Sequence, residues 1–302
     1  MIHSALPRPP DALALRDRLA AALARRPPPD AEEAEWAPRV GLGPCPPGGV
    51  PFVALAEGGP ALDEALRDVV HGEEDADDKL AAAYLMGHVG HALADLLAGL
   101  WLDGVALARV APEAVAFAPR WVPWEDDEGR ARRSVVHDLA LDPAGVRLLP
   151  EGAEADAVAE AFQDLFEALH APLVERLHAR SRLSRGALWR LVGDGLTASM
   201  LGGGKARGEA ERAMALARGV VGRRGRPLHS KQTGFVQITL PEGSPPETAE
   251  AAEWFRARGG CCRYYTTEGG EYCTTCVLRS PESRDARLRD YLARRLAEAR
   301  AA

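Results

Sequence analysis

Four of the five cysteines stand within sixteen residues, Cys261, Cys262, Cys273 and Cys276, in the spacing C-C-x10-C-x2-C. Thiolates are soft ligands that select zinc, copper or iron–sulfur clusters. Two residues between Cys273 and Cys276 let both sulfurs reach one metal centre. The adjacent pair differs. Neighbouring side chains diverge, so Cys261 and Cys262 do not easily chelate one tetrahedral ion, whereas a two-iron cluster offers wider attachment points. Gly259-Gly260 and Gly269-Gly270 give the backbone freedom to wrap around such a group. A structural four-cysteine zinc site is the rival. Its usual form has two C-x2-C knuckles, and this chain has one. Cys45 lies in a Pro/Gly-rich segment far from the others and reads as a bystander thiol.

The segment Cys261-Cys262-Arg-Tyr-Tyr-Thr-Thr-Glu-Gly-Gly-Glu-Tyr-Cys273-Thr-Thr-Cys276-Val-Leu resembles the C-terminus of the FhuF-type ferric-siderophore reductases. That family carries C-C-x10-C-x2-C near the end of the chain and holds a [2Fe–2S] cluster with it. Tyr264, Gly269 and Gly270 also match its aromatic and glycine positions, and Ser184–Trp189 is similar to its helical Leu-Trp segment. Thr274-Thr275 departs from the Gly and Asp often found there, which alters hydrogen bonding around the sulfurs but removes no ligand. Outside the cysteine motif the resemblance is loose and spans about residues 60–280. It implies a [2Fe–2S] cofactor on Cys261, Cys262, Cys273 and Cys276. It also implies one-electron reduction of a ferric siderophore, which binds Fe(II) much less tightly than Fe(III). Other implied partners are an external electron donor, a ferredoxin or an NAD(P)H-dependent reductase, and transient contact with a membrane importer at the inner face of the membrane. No dinucleotide fingerprint occurs, so NAD(P)H or flavin is expected on a partner. Two alternatives stand beside this reading. One is a non-redox siderophore-binding or iron-sensing module with structural zinc. The other is an electron-transfer protein for a different acceptor.

Substrate has to be held near the cysteines. Residues 176–231 contain 13 basic and three acidic residues, Asp194, Glu209 and Glu211. Arg182, Arg185, Arg223, Arg224 and Lys231 are the candidates for attracting an anionic ferric complex; a solvated basic face explains the same run. Trp189 and Tyr264 are weighed as pocket residues, Trp189 reading better as core. His88, His91 and Asp95 share one helix face at i, i+3 and i+7, either as a metal site or as hydrogen-bonded groups of the interior. Gly202-Gly203-Gly204-Lys205 lacks phosphate-loop spacing.

These residues need elements to position them. Helices are expected over Asp11–Arg26, Ala61–His71 and Leu80–Leu102, the last starting at the acidic run Asp75–Asp78. Short strands are expected at Val115–Ala118, Ser134–Leu141 and Val146–Leu149, with Asp142-Pro143-Ala144-Gly145 as the hairpin turn between the last two. Trp121, Trp124 and Glu125–Glu128 read as a loop. Val158, Phe162, Leu165, Phe166, Leu169, Leu173 and Leu177 repeat at helical spacing. Further helices are expected over Ser184–Leu201, stopped by the three glycines, over Arg207–Val221, within Pro245–Arg258 and over Pro281–Ala302. Residues 235–240 read as a strand. The fold class is therefore α+β, mainly α-helical with a small antiparallel sheet and a C-terminal cysteine-rich segment. Three regions are expected: 1–60, Pro/Gly-rich with a helix; 61–150, helical with the small sheet; and 151–302, helical and ending in the cluster segment 259–280.

With 302 residues, the chain buries roughly three quarters of its unfolded surface without help from metal or disulfide. A metal site on it is thus more readily functional than a staple. The net charge of −7 excludes the usual basic profile of a nucleic-acid binder. Residues 1–150 hold 14 Lys+Arg against 24 Asp+Glu, so the acidity sits in the first half. Met1–Asp11 lacks the basic and apolar run of a signal peptide, so a cytoplasmic location, with reduced thiols, is expected. Leu80–Leu102 is long enough to span a bilayer, but His88, His91 and Asp95 within it favour a buried core helix.

Overall fold

The computed structural model describes residues 12–26, 34–73, 75–125, 129–241, 243 and 251–301. Pro27–Pro29, the acidic residues 126–128 and the first part of the helix expected over Pro245–Arg258 lie outside them.

Eight helices and eight strands are described: α1 (Ala12–Ala24), β1 (Val40–Leu42), β2 (Val50–Pro51), α2 (Phe52–Glu57), α3 (Pro60–Val69), α4 (Asp78–Leu102), β3 (Leu107–Val110), β4 (Val115–Glu125), β5 (Ala131–Leu141), β6 (Val146–Leu148), α5 (Ala155–Ser181), α6 (Arg185–Ala206), α7 (Ala210–Val221), β7 (Gly234–Leu240), β8 (Ala251–Ala257) and α8 (Pro281–Ala301). The chain is mainly α-helical with small sheets, as its periodicities imply.

Helix α4 is the axis of the core. Asp77 caps it by accepting from the Leu80 N–H at 2.7 Å, which satisfies one free amide of the first turn. By length and composition α4 could cross a membrane, yet 78% of its most apolar window is buried inside the fold. Leu85, Met86, Leu93 and Leu97 are fully buried, each contributing about 2 kcal/mol of burial. Packing against α6, α5, α3 and β5 accounts for the apolarity of α4.

The α4–α6 contact depends on glycine. A Cβ on Gly195 would lie 3.0 Å from the backbone of Gly90 and His91, so the two helix backbones nearly touch there. The expected stop at Gly202-Gly203-Gly204 does not occur; α6 runs through to Ala206. The triplet serves packing instead: a Cβ on Gly204 would meet Ala213 of α7 at 2.5 Å, and one on Gly203 would meet Leu102 at 3.1 Å.

The main sheet has the order β1-β5-β4-β2, with β1 parallel to β5 and the other pairs antiparallel. β4 and β5 pair along eleven residues each, longer than their sequence suggested, and Trp121 and Trp124 belong to β4 rather than to a loop. β6 does not pair with β5 across Asp142–Gly145. That turn is a single 3-10 turn with Asp142 accepting from the Ala144 amide, and it sends β6 away to pair with β3. A third sheet is the β7–β8 hairpin. β8 replaces the helix expected there, because Trp254 and Phe255 are strand formers and pair across to Gln237 and Val236. Helix α8 packs Leu288 and Leu292 on this hairpin, forming a second, small core with Ile238 and Leu240.

Candidate metal centre and adjoining cavity

The cysteine segment leaves β8 and docks on α6. Gly260 lies against that helix so closely that a Cβ on it would sit 2.9 Å from the Leu191 nitrogen, and a Cβ on Gly259 would meet Thr233 Oγ1 at 2.2 Å. Glycine is therefore needed here for close approach, besides any freedom of the loop. Asp194, buried in α6, accepts from the amides of Gly259 at 2.8 Å and Gly260 at 2.9 Å, and from Thr233 Oγ1 at 3.2 Å. Arg258 Nε points to the same carboxylate at 3.4 Å. Burial raises the Asp194 pKa, although the Gly259 and Gly260 amides, Arg256 and Arg258 act to lower it.

Arg258 then reaches forward. Its Nη1 lies 3.4 Å from Cys273 Sγ and 4.0 Å from Cys262 Sγ. Burial works against charge on Arg258, but Asp194, Cys262 and Cys273 together raise its pKa. The Arg263 amide points to Cys261 Sγ at 3.4 Å. Cys262 and Cys273 lie side by side and their protonation is linked. The contact with Cys273, the Tyr264 amide and Arg258 act against burial to lower the Cys262 pKa. The same contact and burial push Cys273 up. Cys276 lies close enough to Cys261 and Cys273 to influence both electrostatically. Arg279 ties the C-x2-C turn by donating from Nε to the Cys273 carbonyl at 2.9 Å. Arg263, in a left-handed conformation at φ 68°, holds Asp77 at the start of α4 at 3.1 Å.

Cys262 and Cys273 thus lie against the half-buried Arg258 guanidinium and Cys261 against the Arg263 amide, donors of the kind that support thiolate ligands. Among the described residues no three His, Cys, Asp or Glu side chains converge on one ion position. Cys276 is buried, the other three are half-buried, and Tyr264, Tyr265 and Tyr272 beside them are exposed.

Residues 258–278 match the FhuF 2Fe-2S C-terminal domain. The match covers all four cysteines and Arg258, and it supports a [2Fe–2S] cluster in this FhuF-type segment. No curated protein and no solved structure matches the chain.

Behind the FhuF-type segment lies a cavity of about 580 Å³ between α4, β5 and β8. His88, His91 and Tyr84 of α4, His137 of β5 and Arg256 of β8 line it, with Glu73 at one side. His88 sits edge-on to His137 at 5.9 Å between ring centroids. Burial lowers the pKa of His88 to about 4 and of His137 to about 3, so both rings are neutral. Asp95, expected on the same face as His88 and His91, pairs with Arg26 instead. Tyr84, His137 and Arg256 were not legible as site residues, since their spacing along the chain follows no motif.

The five basic candidates stand apart from this cavity. Arg182 ends α5 in a left-handed conformation, and Arg185 is paired with Glu175 at 2.6 Å. Arg224 and Lys231 are exposed and Arg223 is half-buried. Trp189 is buried in the core and Tyr264 is exposed beside the cysteines.

Proposed function

We propose that this protein is a ferric-siderophore reductase that uses Cys261, Cys262, Cys273 and Cys276 to hold a [2Fe–2S] cluster. The observation that carries the reading is the placing of Cys262 and Cys273 against Arg258, with Cys261 and Cys276 close enough to them to interact electrostatically, on a segment that matches a 2Fe-2S domain. When bound, such a cluster supplies single electrons at low potential, near about −400 mV for all-cysteine types. The chain's own contribution is to supply the four sulfurs, to set the positive charge of Arg258 against Cys262 and Cys273, and to leave three of the cysteines partly exposed to a donor. Reduction of a chelated Fe(III) needs no general acid or nucleophile. The chain performs it in the cytoplasm, receiving electrons from a ferredoxin or an NAD(P)H-dependent reductase and meeting an importer at the inner membrane face. Arg182, Arg185, Arg223, Arg224 and Lys231 give long-range attraction for anionic complexes on this reading, Arg185 least because Glu175 already pairs with it.

The test is the visible spectrum of anaerobically purified protein before and after dithionite, with iron and sulfide assays, followed by turnover of ferric siderophores. Bands that bleach, about two irons and two sulfides per chain, and release of Fe(II) are expected. A colourless protein containing one zinc would sink the reading in favour of a binding module.

A further inference from the structure

We infer that the cavity lined by His88, His91, His137, Tyr84 and Arg256 receives the oxygen-chelated Fe(III) complex, with Arg256 placed to stabilise the negative charge that the complex gains on reduction. This inference rests on the reductase reading and adds to it a location and a role for each wall.

Position is the first argument. Arg256 and Tyr84 both line the cavity and both lie within electrostatic reach of Cys262 and Cys273. The cavity and the thiols thus have Arg256 and Tyr84 as common neighbours. Capacity is the second: about 580 Å³ falls within the range of small-molecule sites.

Unsatisfied polarity is the third. His137 is only 6% exposed, and its Nδ1 has no hydrogen-bond partner among the described residues. Buried polar atoms are nearly always paired, so the His137 ring on the cavity wall carries an unspent hydrogen-bonding atom, one closed off from solvent as the ring now stands. Chelate oxygens of a siderophore accept hydrogen bonds, and the neutral imidazoles of His88, His91 and His137 can donate them.

Charge is the fourth argument. The bound Fe(III) gains one electron, drawn from an external one-electron donor of the ferredoxin class, and becomes Fe(II). No covalent bond forms. The Fe–O bonds open as Fe(II) leaves, and the freed oxygens take protons from water. The complex thus becomes one unit more negative. Arg256 donates from Nη1 to the Asp194 backbone carbonyl at 3.2 Å, and among the described residues its other N–H groups make no further hydrogen bond. A fixed cation in a poorly solvated wall favours the more negative state. Glu73, the carboxylate of the lining, has its pKa raised by burial, which limits its opposition.

Gly87 permits a clean test. It lines the cavity, and a Cβ there would meet nothing within 4 Å. Gly87→Leu fills the cavity without disturbing the helix, where leucine is the better former. Gly219→Leu on α7, also in open space, is the control. The probes are redox-inert gallium(III) complexes of tris-hydroxamate, tris-catecholate and hydroxycarboxylate siderophores, titrated by calorimetry into cluster-loaded protein whose visible spectrum confirms loading. Wild type and Gly219→Leu are expected to bind at least one complex, and Gly87→Leu to bind it at least about tenfold more weakly. Equal affinity in Gly87→Leu overturns the cavity as the site while ferric turnover by wild type leaves the reductase reading standing. Absence of both binding and turnover in wild type removes the reading and this inference together. Arg256→Gln tests the charge. It should lose at least about tenfold more in turnover than in gallium-complex affinity, with Arg256→Lys recovering most of the turnover. Equal losses in binding and turnover overturn the role given to Arg256.

Discussion

The Asp194 carboxylate accepts a hydrogen bond from the Gly260 amide at 2.9 Å, across 66 residues of sequence. With the Gly259 amide on its other oxygen, it fixes the start of the cysteine segment to α6 at one buried point. Asp194→Ala leaves those two amides and Arg258 without their acceptor. Removing one partner of a buried charged pair costs about 3–5 kcal/mol. Denaturant unfolding should show a loss of that order, and the purified variant should carry less iron than wild type. Wild-type iron content and stability would deny Asp194 its anchoring role.

Arg258 places a positive charge against Cys262 and Cys273. On the proposed reading, replacing it with Gln makes addition of an electron less favourable. The cluster potential should fall, on the order of 50 mV for a charge at this distance with partial screening. A spectroscopic redox titration measures it. A potential that rises or stays fixed contradicts the screening role.

Cys45 is exposed, with its Sγ 3.7 Å from the Pro46 carbonyl of its own turn. Cys45→Ser should leave visible absorption and iron content at wild-type levels, whereas Ser at Cys261, Cys262, Cys273 or Cys276 should bleach the protein. Retention of full colour after any one of those four changes would remove that residue from the ligand set.

His170 is buried in α5, where its Nδ1–H donates to the Phe166 carbonyl at 2.7 Å, and burial lowers its pKa to about 4. The imidazole of an unfolded chain titrates near about 6.5. As pH falls, the unfolded state takes up this proton first. The stabilising contribution is therefore complete above about pH 6.5 and is lost progressively down to about pH 4. His88 and His137 act in the same direction. Each adds about 1.4 kcal/mol per pH unit inside its window. Denaturation curves at pH 7, 6 and 5 should show His170→Gln with a slope one proton shallower than wild type. Parallel slopes would refute this.

Gly195→Ala forces a Cβ within 3.0 Å of the Gly90 and His91 backbone. Such overpacking should cost about 1–3 kcal/mol. Gly202→Ala on the open side of the same helix should stabilise by about 0.5–1 kcal/mol. Thermal unfolding of the two variants should move in opposite directions, and a shared direction would show that propensity rather than contact governs α6.

What the sequence by itself determined is local. Four cysteines in sixteen residues specify thiolate chemistry whatever the fold, and apolar spacing specifies α4 and α5, since both signals repeat within a few turns of chain. An Asp inside an apolar helical run, between Gly193 and Gly195, was also visible there, although nothing local says what it binds. The tertiary structure alone decided the rest. Whether Gly202–Gly204 stops a helix or lets helices touch depends on Ala213 and Leu102, which lie elsewhere in the chain. Whether β6 follows β5 or pairs with β3 depends on how one turn aims the backbone. The cavity joins Tyr84, His137 and Arg256, residues from three elements that meet only because α4 and α6 cross at glycine and Asp194 draws β8 and the cysteines onto them. Such a meeting is set by long-range packing energy, and no spacing along the chain encodes it.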